Sequence, residues 1–112
     1  MKEELFTFNS IEYVILIGTN KVDNFKIIDA SVNTDIWFHV SRMPSCHVIL
    51  KNDKKLSAIP RQVIKRCAYL CKINSNAKTL PTCEIVYTPI SEVIKTRIVG
   101  QVVLKKSKQI IV

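Results

Sequence analysis

The sequence predicts an α+β fold: a single domain with a largely antiparallel sheet, one long amphipathic helix packed on it, and a short second helix. Three observations carry this expectation. Residues 35–40 and 46–51 alternate side chains as strands with one buried face do. Residues 60–75 gather their apolar side chains on one arc at about 100° per residue. The order of strand, short helix, strands, long helix and strands suits a sheet covered by helices.

Tyr13-Val14-Ile15-Leu16-Ile17 is a short β-branched run stopped by Gly18-Thr19-Asn20, which favours a buried strand. Asn24, ahead of Phe25-Lys26-Ile27-Ile28, suits a helix N-cap, so a short helix is expected there, with a strand as its rival. The next two strands, 35–40 and 46–51, are joined by Ser41-Arg42-Met43-Pro44-Ser45, the length of a hairpin loop. Pairing centred on Met43 sets His39 opposite His47, Trp37 opposite Ile49 and Asp35 opposite Lys51, all on one face. Ile36, Phe38, Val40, Val48 and Leu50 then line the other, wholly apolar face.

Pro60 suits a first helical turn because its missing N–H has no partner to lose there. On the helix that follows, Val63, Ile64, Cys67, Ala68, Leu70 and Cys71 share the apolar arc. Arg61, Gln62, Lys65, Arg66, Tyr69 and Lys72 share the other. Cys83-Glu84-Ile85-Val86-Tyr87-Thr88 reads as a strand limited by Pro89. Residues 100–104 and 109–112 read as a terminal hairpin turning at Lys105-Lys106-Ser107-Lys108. No linker divides the 112 residues; residues 1–10 read as an N-terminal extension of the one domain.

With 47% hydrophobic and 23% charged residues, the composition excludes disorder and low-complexity arrays. The start Met1-Lys2-Glu3-Glu4 has no apolar signal region, so a cytoplasmic location is expected. The net charge of +8 is uneven: residues 1–53 carry −2 and residues 54–112 carry +10. Such asymmetry fits a polyanion partner, nucleic acid first and an anionic membrane next. Cys46, Cys67, Cys71 and Cys83 lack zinc-ribbon or zinc-finger spacing and read as free thiols, so neither a metal nor a cofactor is expected.

The basic helix face, with Arg61, Lys65, Arg66, Tyr69 and Lys72, is the leading contact candidate, because cations beside a planar ring suit phosphates plus a base. Lys95 and Arg97 could extend it. Trp37, His39 and His47 read as a second recognition group, by base stacking and imidazole hydrogen bonds, with structural burial of Trp37 as the competing reading. Asp35, His39 and His47 on one face also permit acid–base chemistry in a hydrolase, although no nucleophile elbow accompanies them. A basic adaptor that meets an acidic protein, or DNA at a membrane, is the other alternative.

The words Asp35-Ile36-Trp37-Phe38-His39-Val40 and His47-Val48-Ile49-Leu50 are followed by Cys67-Ala68-Tyr69-Leu70-Cys71-Lys72-Ile73-Asn74-Ser75. Val86-Tyr87-Thr88-Pro89 and Val99-Gly100-Gln101-Val102 come after them. In that order they resemble the NFACT-R domain, the RNA-binding module of NFACT-type ribosome quality-control proteins. The likeness runs from about residue 13 to 112 and is nearest the short coiled-coil domain-containing protein twenty-five branch, which also lacks the glycine replaced here by Ser45-Cys46. Phe25 stands where the family often has an acid. The resemblance implies a non-catalytic RNA-binding module, tRNA- or ribosome-associated. It does not imply nascent-chain elongation, which in the multi-domain relatives depends on parts outside this module.

Overall fold

Alternating side chains at Tyr13, Ile15 and Ile17 bury one face of a strand whose two neighbours cover its backbone, and the sheet grows from there. The computed structural model describes residues 1–112. Six strands form the main sheet: β1 (Lys2–Phe8), β2 (Ile11–Ile17), β3 (Ile36–Val40), β4 (Val48–Leu50), β5 (Glu84–Pro89) and β8 (Lys108–Ile111). Their spatial order is β1-β2-β4-β3-β5-β8, and every adjacent pair is antiparallel. Two short strands, β6 (Val93–Lys95) and β7 (Val102–Leu104), pair separately. The helices are α1 (Lys21–Asp29) and α2 (Arg61–Ile73). The α+β expectation holds.

Residues 1–10, read from the sequence as an extension, instead furnish edge strand β1. Asn9 and Ser10, at φ 50° and 63°, make the two-residue turn into β2. That tight hairpin needs positive φ at both positions, which asparagine tolerates well.

The β3–β4 register is the one centred on Met43: Trp37 pairs with Ile49, Ile36 with Leu50 and Phe38 with Val48. Each sheet face therefore receives the side chains its alternation dictates. Ile36, Phe38, Val40, Val48 and Leu50 join Val63, Ile64, Cys67, Leu70 and Cys71 of α2 in the larger core. Trp37 and Ile49, on the opposite face, pack with Ile27 and Ile28 of α1 and with Ile90 in a smaller core, flanked by Val93, Val102 and Leu104 of the β6–β7 pair. All four cysteines are free; three are buried and Cys46 is half-buried. Burial pushes the Cys67 thiol well above its ordinary range.

Two local expectations are corrected. The N-cap of α1 is Asn20, whose side chain accepts from the Asp23 N–H at 2.9 Å. Asn24 lies inside the helix, buried, where its Oδ1 accepts the backbone N–H of His47 at 3.1 Å. A Cβ on Gly18 would stand 1.9 Å from that Oδ1, so the close fit of α1 over the end of β2 requires glycine. The expected terminal hairpin does not form either: β7 pairs with β6, and β8 crosses to the open edge of β5. The lysine-rich segment 105–107 is thus a link between two sheets. Both ends gain partners this way, which avoids leaving β5 an unpaired edge.

Candidate nucleic-acid interface

Asp35 sits just ahead of β3 and is 1% exposed. It accepts the N–H of Val32 at 3.0 Å and of Asn52 at 2.8 Å, and it pairs with the Lys51 ammonium. Its two oxygens are thereby committed to local structure, and neither bonds a histidine. The Asp35–His39–His47 constellation of the hydrolase reading is therefore not assembled. No group of three or more His, Cys, Asp or Glu side chains converges as metal ligands.

Trp37, His39 and His47 do come together, but as a packed cluster rather than an open stacking platform. Trp37 is 2% exposed and His47 1%, so neither presents a ring to a ligand, and the expectation of direct contact by these two is corrected. Burial of Trp37 wins because Ile27 and Ile28 of α1, Ile90 and the β6–β7 pair pack over it, while His39 beside it stays half-buried. The Trp37 indole donates to His47 Nδ1 at 3.1 Å. His39 lies parallel to the indole, with centroids 5.5 Å apart and planes 13° apart, and meets His47 edge-on at 5.3 Å.

These bonds fix opposite tautomers. An indole N–H only donates, so His47 Nδ1 is the bare acceptor and its proton lies on Nε2. A carbonyl only accepts, so His39 Nδ1 carries the proton that bonds Val40 O, which leaves Nε2 as its acceptor. Burial, then the neighbouring His39, holds His47 down to about 3, against the weaker opposing pull of the Gly100 backbone. Burial also lowers His39, opposed by its bond to Val40. Both rings are neutral at pH 7.

The His47 shift has a sign that can be measured. The unfolded imidazole binds a proton near pH 6.5 while the folded one refuses it until about 3. Its contribution is therefore complete above pH 6.5 and is lost as pH falls toward 3, with a slope approaching about 1.4 kcal/mol per pH unit. Thermal unfolding of the wild type should drop more steeply between pH 6.5 and 5 than that of His47→Gln. Parallel profiles would refute the assignment.

A cleft opens beside this cluster, about 590 Å³ in volume, between the β3–β4 loop, the start of α1 and residues 98–104. His39, Lys21, Arg42, Ile98 and Val99 are among the residues lining it. Lys21 and Arg42 are exposed and form no ion pair. Arg42 holds a positive φ of 61° at the loop apex. Gly100, at φ 87°, packs its α-carbon side against Lys21: a Cβ there would come 3.1 Å from that of Lys21. Arg97, exposed and unpaired, immediately precedes the cleft-lining Ile98.

The α2 face is less uniform than its helical wheel. Arg61, Lys65 and Tyr69 are exposed. Arg66 instead forms a two-pronged bond with Glu4 of β1, at 2.8 and 2.7 Å. Its guanidinium lies 5.7 Å from the Tyr69 ring centre and 6.0 Å from that of Phe6. Lys72 is 9% exposed, with its ammonium on the carbonyls of Pro81 and Val112 at 3.2 and 3.3 Å. Both are corrected as free contact residues, because strands β1 and β8 curl around α2. Phe6 and Ile111, from opposite sheet edges, line one shallow groove with Lys65 and Tyr69. Lys95 pairs with Asp29 and lies 5.2 Å from the Phe25 ring centre. The ten residues singled out from sequence thus divide into a cleft group around His39 and Arg97, an α2 group of Arg61, Lys65 and Tyr69, and structural residues. Sequence reasoning missed Lys21 and Arg42; the one signal for Arg42 was its place in the loop between the two histidine strands.

Comparison with known proteins follows the same outline. The profile described as the NFACT protein RNA binding domain matches residues 3–106. Coiled-coil domain-containing protein 25 of Mus musculus is 37% identical over 107 residues, covering 91% of this chain and 51% of its own. Protein JLP2 of Saccharomyces cerevisiae is 35% identical over 108 residues, covering 89% and 52%. The chain spans about half the length of these relatives. Among solved structures, the C-terminal part of the fibronectin/fibrinogen-binding protein from Streptococcus suis superposes with a TM-score of 0.85 at 20% identity, covering 100% of this chain and 45% of that one. At that identity the likeness is one of fold.

Proposed function

The chain belongs to the NFACT protein RNA binding domain family, and on that premise we propose that it binds RNA without catalysis, with tRNA or ribosomal RNA as the partner. The supporting observation is the pair of exposed cations without acidic partners in the cleft lining, Lys21 and Arg42, with the exposed and unpaired Arg97 next in the chain to cleft-lining Ile98. Arg61 and Lys65 on α2 form a second, smaller basic surface. Phosphates attract such cations and release their counterions on binding, so affinity should depend on salt.

Filter binding of tRNA across a salt series checks this. Log affinity should fall linearly with log salt, at about 0.7–0.9 per phosphate neutralised, with a total slope of about 3 or more. No binding at low salt, or binding indifferent to salt, would overturn the reading.

A further inference from the structure

The cleft beside His39 has features that a surface meant only for phosphates does not need. Its volume of about 590 Å³ lies within the usual range for small-molecule sites, about 300–1,000 Å³. Its floor offers an acceptor: His39 Nε2 has no partner within the protein, because Nδ1 is the nitrogen committed to Val40. The ring that carries this acceptor lies parallel to Trp37, and a flip that exchanged its two nitrogens would break the bond to Val40. One wall is aliphatic and exposed, with Ile98 60% and Val99 48% accessible. Lys21 and Arg42 add two unpaired cations to the lining. A flat group with an N–H donor, attached to an anion, matches all three: acceptor, apolar wall and cations.

We propose that this cleft receives one unpaired nucleotide of the RNA, its base donating to His39 Nε2 against the Ile98–Val99 wall and its phosphate held by Lys21 and Arg42. This rests on the RNA-binding reading and sharpens it. Each of the four bases carries at least one N–H, so the site selects unpaired bases over paired ones rather than one sequence over another. A base inside a duplex has both faces stacked and any free N–H confined to a groove, and cannot enter.

Trp37 is the only tryptophan, so its emission reports on the cleft directly. Titration with a single-stranded RNA hexamer and with a blunt RNA duplex of matched phosphate number separates the outcomes. The hexamer should change Trp37 emission saturably and the duplex should not. In His39→Phe, which keeps a ring on Trp37 but removes the acceptor, the ratio of hexamer to duplex affinity should fall about tenfold. Val99→Glu, on the exposed wall, should lower the same ratio without touching the core, and serves if His39→Phe fails to fold. Unaltered emission at saturating hexamer, or unchanged ratios in folded variants, would overturn the cleft proposal. Duplex binding retained in that case would leave the RNA-binding reading standing; no binding of either RNA at low salt would remove both.

Discussion

Reversing Lys21, Arg42 and Arg97 together to glutamate should weaken tRNA binding by about 100-fold or more at low salt while leaving the fold intact. The three side chains are exposed and without acidic partners, so nothing inside the protein depends on their charge. Each pairing of a cation with a phosphate is a charge-assisted hydrogen bond of about 1 kcal/mol or more in an exposed setting, and about 1.4 kcal/mol is tenfold in affinity. Stability is not expected to suffer. Lys21 is the first residue of α1, where a glutamate meets the positive end of the helix dipole. The control reverses Arg61 and Lys65 on α2, two charges against three, and is compared as loss per reversed charge. It should lose less, because that surface has already given Arg66 to Glu4 and Lys72 to backbone carbonyls. Equilibrium binding of labelled tRNA, with thermal unfolding recorded on the same samples, reads both quantities. A larger loss per reversed charge in the α2 variant than in the cleft variant would move the interface to the other face of the sheet.

Asp35→Ala should cost about 3 kcal/mol of folding stability and lower the melting temperature by roughly 10–20 °C for a domain this size. Removing the carboxylate strips the acceptor from two backbone N–H groups, those of Val32 and Asn52, and leaves the Lys51 ammonium alone at the edge of the core. An unsatisfied buried donor costs about 1–3 kcal/mol, while Lys51, being one-third exposed, can turn toward water and recover part of its loss. Asp35→Asn keeps one acceptor oxygen and should fall between the two. Urea unfolding gives the difference directly. The folded fraction of Asp35→Ala should bind tRNA with unchanged affinity, since Asp35 lies apart from the cleft with Lys51 and Asn52. A loss under about 0.5 kcal/mol, that of an ordinary surface change, would contradict the assigned role.

How far the sequence could be read depended on the range of the forces involved. The β3–β4 register was legible because period-2 alternation excludes every odd slip of Phe38 against Val48 and the short 41–45 loop selects the pairing centred on Met43. The α2 boundaries were legible from Pro60 and a one-sided apolar arc. The N-cap of α1 was not, because Asn20 and Asn24 are chemically identical choices four residues apart. What separates them is the distant N–H of His47, which claims Asn24. Helical spacing likewise put Arg66 and Lys72 on the wet side of α2, and the helix alone would leave them there. The sheet edges that curl back to meet them come from opposite ends of the chain. The same limit hid the cleft. Its lining joins a loop apex, a helix start and residues 98–104, three segments that no local pattern connects.

If RNA phosphates meet the protein at the mouth of the His39 cleft, the salt dependence of tRNA binding must change when the cations there are reversed. Salt series on the wild type and on the Lys21, Arg42 and Arg97 triple glutamate variant measure that change directly. The variant's slope should be shallower by about 2–3, because each of the three side chains no longer neutralises its phosphate. Equal slopes in the two proteins would place the RNA elsewhere on the surface and contradict the cleft assignment.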